Sequence, residues 1–489
     1  MTDEHEEGVM TRNWLPRLVA ALLILGLGGF ISRGQPGQKR SRPIDRLHFP
    51  ELHFSPPQPE RVTLANGMTL FILEDHEIPN VDMFAAIRSG SVYDPPDKIG
   101  LAELVGTVMR TGGTSSRTPE QINEELEFIA ASVETGMTRE YGTASLTALT
   151  KDLDTALPIL ADILMHPAFR QEQLDVAKNQ MLDAIKRRND TPQQIADRIF
   201  PQLIYGKEHP LARVPQEETI RRITREDLID FHARFYHPNN VILGISGDVT
   251  KEEIVDKVER AFAGWKPQET TFPPIPPVER RYRRAIYFIP RDINQTTIRI
   301  GHIGLTQRDP DFFPVTVAAQ ILGGGFSSRM FNELRSKEGL AYAAFAGHTG
   351  GLREPGYFFT FSETRADATV RAIQTILRLL DEMRQKPVSD AELRIAKEGI
   401  LNSFVFDFDS PEKIVNRTVL LEYFGLPLDF LQRYRDNVAK VTKQDVLRVA
   451  QKYFRPDQAI ILVIGKKEAF DQPLSTLGEV TTLDMKEWK

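Results

Sequence analysis

Cysteine is absent from this chain of 489 residues. Structural disulfides, thiolate zinc sites and a cysteine nucleophile are therefore excluded. The absence does not fix the compartment, because secreted and cytosolic proteins both occur without cysteine. An excess of basic charge is also missing, since 61 Lys and Arg face 67 Asp and Glu and give a formal net charge of −6. Without a basic footprint we expect no nucleic-acid partner.

A long uncharged apolar run occurs at the N-terminus, over residues 18–32, and Arg12 and Arg17 precede it. This arrangement is typical of a signal peptide, and the run is slightly short for a membrane-spanning helix, which needs about 20 residues. No clear small-x-small cleavage site follows. We therefore predict that residues 1–33 are a signal peptide or a membrane anchor, that the protein is exported to the periplasm or cell envelope, and that translation starts at Met1 or Met10.

Proline clusters divide the rest of the chain. Such clusters resist both helix and sheet and form stiff spacers. The length predicts more than one domain, and 41% apolar and 26% charged residues are ordinary for a globular protein. The predicted segments are a linker at 34–60, an N-terminal domain at 61–265, a proline-rich linker at 266–280, a C-terminal domain at 281–470 and a tail at 471–489.

The two predicted domains contain a repeat. Residues 223–247 align without a gap on residues 441–465, with identities that include Asp227 with Asp445, Pro238 with Pro456 and Gly247 with Gly465. Each copy predicts a helix, a proline turn and a buried strand. In the first domain Asn66-Gly67 lies between two apolar runs, which indicates a β-hairpin. We predict an α+β fold of two homologous repeats, each an antiparallel sheet with helices packed on it.

The stretch Gly100–Thr114 resembles the zinc-binding helix of the pitrilysin/insulinase family, which includes the mitochondrial processing peptidase and bacterial envelope proteases. That family carries Gly-Leu-Ala-[His-x-x-Glu-His]-Met-x-x-x-Gly-Thr, and here the flanks remain as Gly100-Leu101-Ala102 and Gly112-Gly113-Thr114. The functional positions differ. Glu103 stands at the first histidine, Gly106 at the general-base glutamate, Thr107 at the second histidine and Ala184 at a further glutamate ligand, with Asp183 beside it.

These replacements predict that the chain holds no metal. Zinc in proteins is bound mainly by imidazole, thiolate and carboxylate groups, and one or two carboxylates make a poor zinc site. Water activation also lacks a base at Gly106. His232 and His237 are five residues apart, which is wrong for one helical face. The isolated histidines are interpreted as surface or capped residues: His166, His209, His302 and His348.

A second motif, Ile321–Tyr342, is intact. It resembles the family's run ending in Leu-Arg-x-x-x-Gly-Leu-Ala-Tyr. The resemblance implies that Arg335 and Tyr342 bind the substrate backbone and polarise its carbonyl at the zinc site of another domain, a role suited to a guanidinium and a phenol as donors. Gly323, Gly324 and Gly325 form either a tight turn or, as in the family, a loop that contacts peptide substrates.

The zinc-binding motif has lost its ligands, whereas the Arg/Tyr motif is intact. This contrast predicts that two chains each supply one part of the active site. By resemblance, this chain is the substrate-binding, non-zinc subunit of a two-chain zinc metalloendopeptidase that closes like a clamshell on peptides or unfolded protein. Zinc is expected only in a sister subunit bearing His-x-x-Glu-His. Two alternatives stay open: a structural scaffold protein of the same fold, and a lone peptidase with a rewired metal site.

Overall fold

The computed structural model describes residues 56–280 and 284–488. The predicted signal peptide or anchor at 1–33 and nearly all of the linker at 34–60 lie outside the described residues. Within the part that the structure describes, no helix is both long enough and apolar enough to cross a membrane.

The first sheet is formed by six strands between residues 60 and 247. The strands are β1 (Glu60–Thr63), β2 (Thr69–Glu74), β3 (Asn80–Ile87), β4 (Ser132–Met137), β5 (Gly142–Leu149) and β6 (Val241–Gly247). The helices are α1 (Leu101–Thr111), α2 (Pro119–Phe128), α3 (Leu153–Met165), α4 (Gln171–Arg187), α5 (Pro192–Tyr205), α6 (Glu217–Arg222), α7 (Arg225–Phe235) and α8 (Lys251–Ala261). The strand order is β1-β2-β6-β3-β5-β4.

The second sheet repeats this plan between residues 285 and 482. Its strands are β7 (Ala285–Pro290), β8 (Gln295–Ile303), β9 (Ala341–His348), β10 (Tyr357–Arg365), β11 (Ile460–Gly465) and β12 (Val480–Thr482). The helices are α9 (Phe312–Gly323), a π-helix (Phe331–Lys337), α10 (Thr369–Gln385), α11 (Asp390–Phe404), α12 (Pro411–Tyr423), α13 (Phe430–Lys440) and α14 (Lys443–Tyr453). The order is β12-β7-β11-β8-β10-β9.

The predicted α+β class and the paired repeats are confirmed. The aligned segments fold as α7 followed by β6 and as α14 followed by β11, and each helix begins at a threonine that forms a capping box with an aspartate three residues on. The hairpin at Asn66-Gly67 joins β1 and β2, with Gly67 at φ +86°. The expectation of purely antiparallel sheets needs correction, because β2 pairs with β6, and β7 with β11, in parallel.

Each half contributes a helix to the other half's sheet. Helix α12 packs on β2, β3 and β6, while α5 packs on β8 and β11. Gly244 on β6 has no room for a Cβ, because one would collide with Val415 and Val419 of α12. Tyr423, at the end of α12, donates to the Glu140 carbonyl at 2.6 Å. The two halves are thus tied together through reciprocal packing.

The connections between the elements are also fixed to the fold. The proline-rich segment 266–280 has no regular secondary structure and is held by side chains of the first half. Asn239 donates to the Gln268 carbonyl at 2.9 Å and Asn240 to Thr270 Oγ1 at 2.6 Å. In the segment 471–489, which the sequence suggests as a tail, β12 pairs in parallel with β7.

Candidate functional site

A buried aspartate, Asp94, caps the N-terminus of α1, the helix that carries the altered metal motif. Asp94 accepts hydrogen bonds from the amides of Gly100 and Ala102, at 2.8 and 2.9 Å, and so satisfies the free N–H groups at the start of α1. Burial raises the pKa of Asp94 to about 7, against the lowering effect of these amides. Glu103 and Thr107 lie one turn apart on the exposed face of this helix. Partial desolvation raises the pKa of Glu103.

Gly106 is the point where α1 touches the edge strand β4. A Cβ added there would lie 2.7 Å from the carbonyl carbon of Gly136 and 2.8 Å from the amide nitrogen of Met137. Thr135 Oγ1 also donates to the Gly106 carbonyl at 2.6 Å. The base position of the motif is therefore closed by backbone, and any side chain there requires β4 to move.

The remaining position of the motif, Ala184, is exposed on α4, which packs beside α1. Its neighbour Asp183 is paired with Lys186 at 3.1 Å. Over residues 56–280 and 284–488, no three or more His, Cys, Asp or Glu side chains are grouped so as to hold a metal ion. One carboxylate, a threonine hydroxyl, a glycine and an alanine do not fit a zinc ion.

Several of the histidines have structural partners. His232 lies 2.9 Å from the Leu164 carbonyl, and burial lowers its pKa to about 4. His302 accepts from the Arg455 amide, and burial also lowers its pKa to about 4. His348 lies 2.9 Å from Thr316 Oγ1. These contacts are structural, and His302 is buried, whereas the sequence suggested a surface or capped position.

Arg335 and Tyr342 meet on the surface of the second half. The guanidinium carbon of Arg335 lies 5.3 Å from the ring centre of Tyr342 and 5.0 Å from that of Phe331, in cation–π geometry. Tyr342 is 67% exposed. No hydrogen bond or ion pair from the Arg335 side chain to another described residue is present, so its N–H donors are available to a ligand.

Both members of this pair stand on irregular backbone. Arg335 belongs to the π-helix, where the Glu338 amide bonds to the Glu333 carbonyl five residues back. Tyr342 is the extra residue of a β-bulge, because Ala341 and Ala343 pair with the consecutive residues 364 and 363 of β10. π-Helices and bulges are enriched at functional sites, where they redirect side chains. The sequence gives no signal for either irregularity.

The three glycines have different surroundings. Gly323 is the last residue of α9, and there the helix packs directly against β9. A Cβ at this position would collide with the backbone nitrogen of Ala346. Gly324 accepts a hydrogen bond from the Gln320 amide group at 2.8 Å. Gly325 has φ +157° and open space where a Cβ would be. The run therefore forms a turn, and its last member is exposed.

The Arg/Tyr pair lies apart from α1. No hydrogen bond, ion pair or ring contact among the described residues joins the two motifs. The halves also touch at the loop that follows β9, where Tyr205 donates to the Pro355 carbonyl at 3.0 Å and Arg353 to Tyr93 Oη at 3.0 Å. Tyr342 precedes His348 by six residues, about 20 Å of strand. Both side chains are exposed.

Comparison with known proteins places this geometry in a family. Residues 71–212 match the model for insulinase, peptidase family M16, and residues 222–400 match the peptidase M16 inactive domain, together about two thirds of the chain. An uncharacterized zinc protease of Rickettsia bellii is 26% identical over 410 residues, which cover 82% of this chain and 96% of that protein.

Solved structures share the fold. The crystal structure of a peptidase M16 inactive domain from Pseudomonas fluorescens has a TM-score of 0.78 and 24% identity, and the match covers 85% of this chain and all of that one. The periplasmic protease PqqL of Escherichia coli has a TM-score of 0.72 and 16% identity, over 86% of this chain but 50% of PqqL. The chain belongs to peptidase family M16, the insulinase family, and includes that family's inactive-type domain.

Proposed function

We propose that this chain is the substrate-binding, non-zinc subunit of a two-chain zinc metalloendopeptidase. In this proposal Arg335 and Tyr342 act at a zinc site on a partner chain that carries His-x-x-Glu-His. The observation that carries the proposal is the contrast between the two motifs. An exposed Arg/Tyr pair stands on irregular backbone, while the base position of α1 is closed by β4.

The chemistry of the pair suits a peptide carbonyl. A guanidinium offers several N–H donors in a planar fork, and a phenol offers one O–H donor. Placed where negative charge develops on a carbonyl oxygen, such donors stabilise the transition state more than the ground state. Stacking on Phe331 and Tyr342 limits the freedom of Arg335, so less entropy is lost when a substrate binds.

The match to PqqL supports an assembly of two such units. This chain superimposes on only half of PqqL, a protease with the same fold. A second chain of similar size would supply the other half. In this assembly zinc is held by the partner, and peptides or unfolded protein are the substrate. Residues 1–33 direct the chain to the periplasm or cell envelope, either as a cleaved signal peptide or as an anchor.

Reconstitution with a zinc-bearing sister chain tests the proposal. Arg335→Ala and Tyr342→Phe are each expected to lower kcat/KM of the pair by about 10²–10³-fold, the usual effect of losing one donor to a developing oxyanion. Both side chains are exposed, so the stability of this chain is expected to remain unchanged. Arg221→Ala is a matched control, because Arg221 is an exposed arginine of the first half that pairs with Glu217 on α6.

Other outcomes would favour the alternatives. Full activity of the Arg335→Ala, Tyr342→Phe double variant contradicts donation to a partner. Stoichiometric zinc and peptide hydrolysis in the isolated chain would instead indicate a lone peptidase with a rewired metal site. Stable association with the sister chain, without any effect on its activity, would indicate a scaffold.

A further inference from the structure

An apolar groove lies next to the Arg/Tyr pair. It runs between the turn that follows α9 and the exposed face of α11, with a cavity volume of about 310 Å³. That volume is at the lower end of the range for ligand cavities in proteins. The apolar part of its wall is made by Ile321, Phe326, Ala391, Ile395, Ala396 and Gly399.

Phe326 forms the rim of the groove and is unusually exposed, at 80%. Its ring is nevertheless held in place, because it packs edge-on against Phe331 with ring centres 5.0 Å apart. The turn that carries Phe326 is fixed on both sides, by the bond from Gln320 to Gly324 and by the Ser328 amide donating to the Gly325 carbonyl at 3.0 Å. A rigid aromatic ring exposed to solvent is a feature of binding surfaces.

The charge at the groove is already balanced. Glu392 lines it, and both oxygens of this carboxylate accept from Arg329, at 2.6 and 3.3 Å. The Ser389 hydroxyl donates to the same carboxylate at 2.8 Å. A charged ligand group would therefore lose its hydration without gaining a free counter-charge, whereas an apolar group would bury Phe326 and Ile395.

A row of contacts links Phe326, on the rim of the groove, to the Arg/Tyr pair. One step of 5.0 Å joins the rings of Phe326 and Phe331, and a second of 5.0 Å joins Phe331 to the guanidinium of Arg335. Tyr342 follows at 5.3 Å from Arg335. An extended peptide advances about 3.3 Å per residue, so Phe326 and Arg335 are separated by at most about three residues of substrate.

We propose that this groove is a specificity subsite for a large apolar side chain, aromatic or branched aliphatic, of an extended peptide. The side chain belongs to a residue at most about three positions from the one whose carbonyl meets Arg335. The inference rests on the proposed function for the peptide itself, and it adds the class of peptide that is selected. Phe326 and Ile395 are the residues that determine the selection.

Peptide binding by the full chain tests the subsite. Fluorescent decapeptides that differ only by Phe, Ser or Glu at one scanned position are titrated by anisotropy. Discrimination by one apolar side chain is typically 10–200-fold. We expect about 10-fold or greater preference for Phe over Ser at a single position, and no gain for Glu. Phe326→Ala and Ile395→Ser are each expected to reduce this preference to about 3-fold or less.

A matched control is Phe128→Ala, since Phe128 is 91% exposed at the end of α2 and far along the chain from the groove. It is expected to keep the wild-type preference. Equal binding of the Phe and Ser peptides by the wild-type chain, or an unchanged preference in Phe326→Ala, overturns the subsite. An unchanged preference in Phe326→Ala together with reduced activity in Arg335→Ala would leave the proposed function standing. If Phe326→Ala loses the preference for Phe over Ser while Arg335→Ala keeps full activity in the reconstituted pair, the subsite is supported. The action of Arg335 at the partner's zinc site is then contradicted.

Discussion

Replacement of Gly106 by alanine tests how tightly β4 packs against α1 at the position where the family motif has its general-base glutamate. In the interior of a helix this change normally stabilises by about 1 kcal/mol, because glycine loses more backbone entropy on folding. At Gly106 the new Cβ would meet Gly136 and Met137 of β4 at 2.7 and 2.8 Å. Ordinary carbon contacts need about 3.5–4.0 Å, so the strand must shift by roughly 1 Å.

Such overpacking costs about 1–3 kcal/mol. Two of the colliding atoms are backbone, and Thr135 ties the Gly106 carbonyl to the same strand. The cost is therefore expected in the upper part of that range, and the free energy of unfolding of Gly106→Ala should fall by about 1–2 kcal/mol after the gain in helix propensity.

Gly399→Ala is the matched control, because Gly399 lies inside α11 and its added Cβ would approach only the end of the flexible Gln320 side chain, at 3.3 Å. This variant should gain about 0.5–1 kcal/mol. Urea unfolding of the full chain, followed by circular dichroism, measures both values. Equal stabilisation of the two variants would show that α1 and β4 do not approach as closely as the structure has them.

Two further outcomes concern the contacts between and within the halves. Tyr423→Phe removes the 2.6 Å bond to the Glu140 carbonyl and should lower the free energy of unfolding by about 1 kcal/mol; an unchanged urea midpoint would contradict a role for that bond. His302 is neutral in the fold, with Nδ1 near the Ile303 carbonyl and Nε2 accepting from Arg455, and burial lowers its pKa from 6.5 to about 4. The unfolded chain therefore binds the proton first, so the stability present above pH 6.5 is lost as pH falls toward 4. His302→Gln should remove roughly 2–3 kcal/mol of the loss between pH 7.5 and pH 4.5, and identical pH slopes in the two proteins would refute the assignment.

Local signals in the sequence predicted local structure well. The repeat at 223–247 and 441–465 was readable because its caps and proline turns act within a few residues. The altered motif was readable because it is contiguous. The parallel pairing of β2 with β6 could not be predicted from the sequence, because those strands are far apart in the chain and only tertiary packing brings them together.

The finer features of the candidate site depend on the whole fold. Closure at Gly106 requires the position of β4, which no residue near Gly106 specifies. The π-helix and the bulge each differ from regular structure by one slipped hydrogen bond or one inserted residue, a difference too small to alter the periodicity of the sequence. The groove beside Phe326 arises because α11 packs next to α9, although more than sixty residues separate them.

The exchange of α5 and α12 between the sheets has a consequence for how this molecule can be divided. A protease that cut the exposed connector at 266–280 would leave a nicked molecule that does not fall apart, because each fragment still buries a helix of the other. Expression of either fragment alone would leave a sheet face bare and prone to aggregate. Each sheet therefore keeps its covering helix only when the two halves are present together.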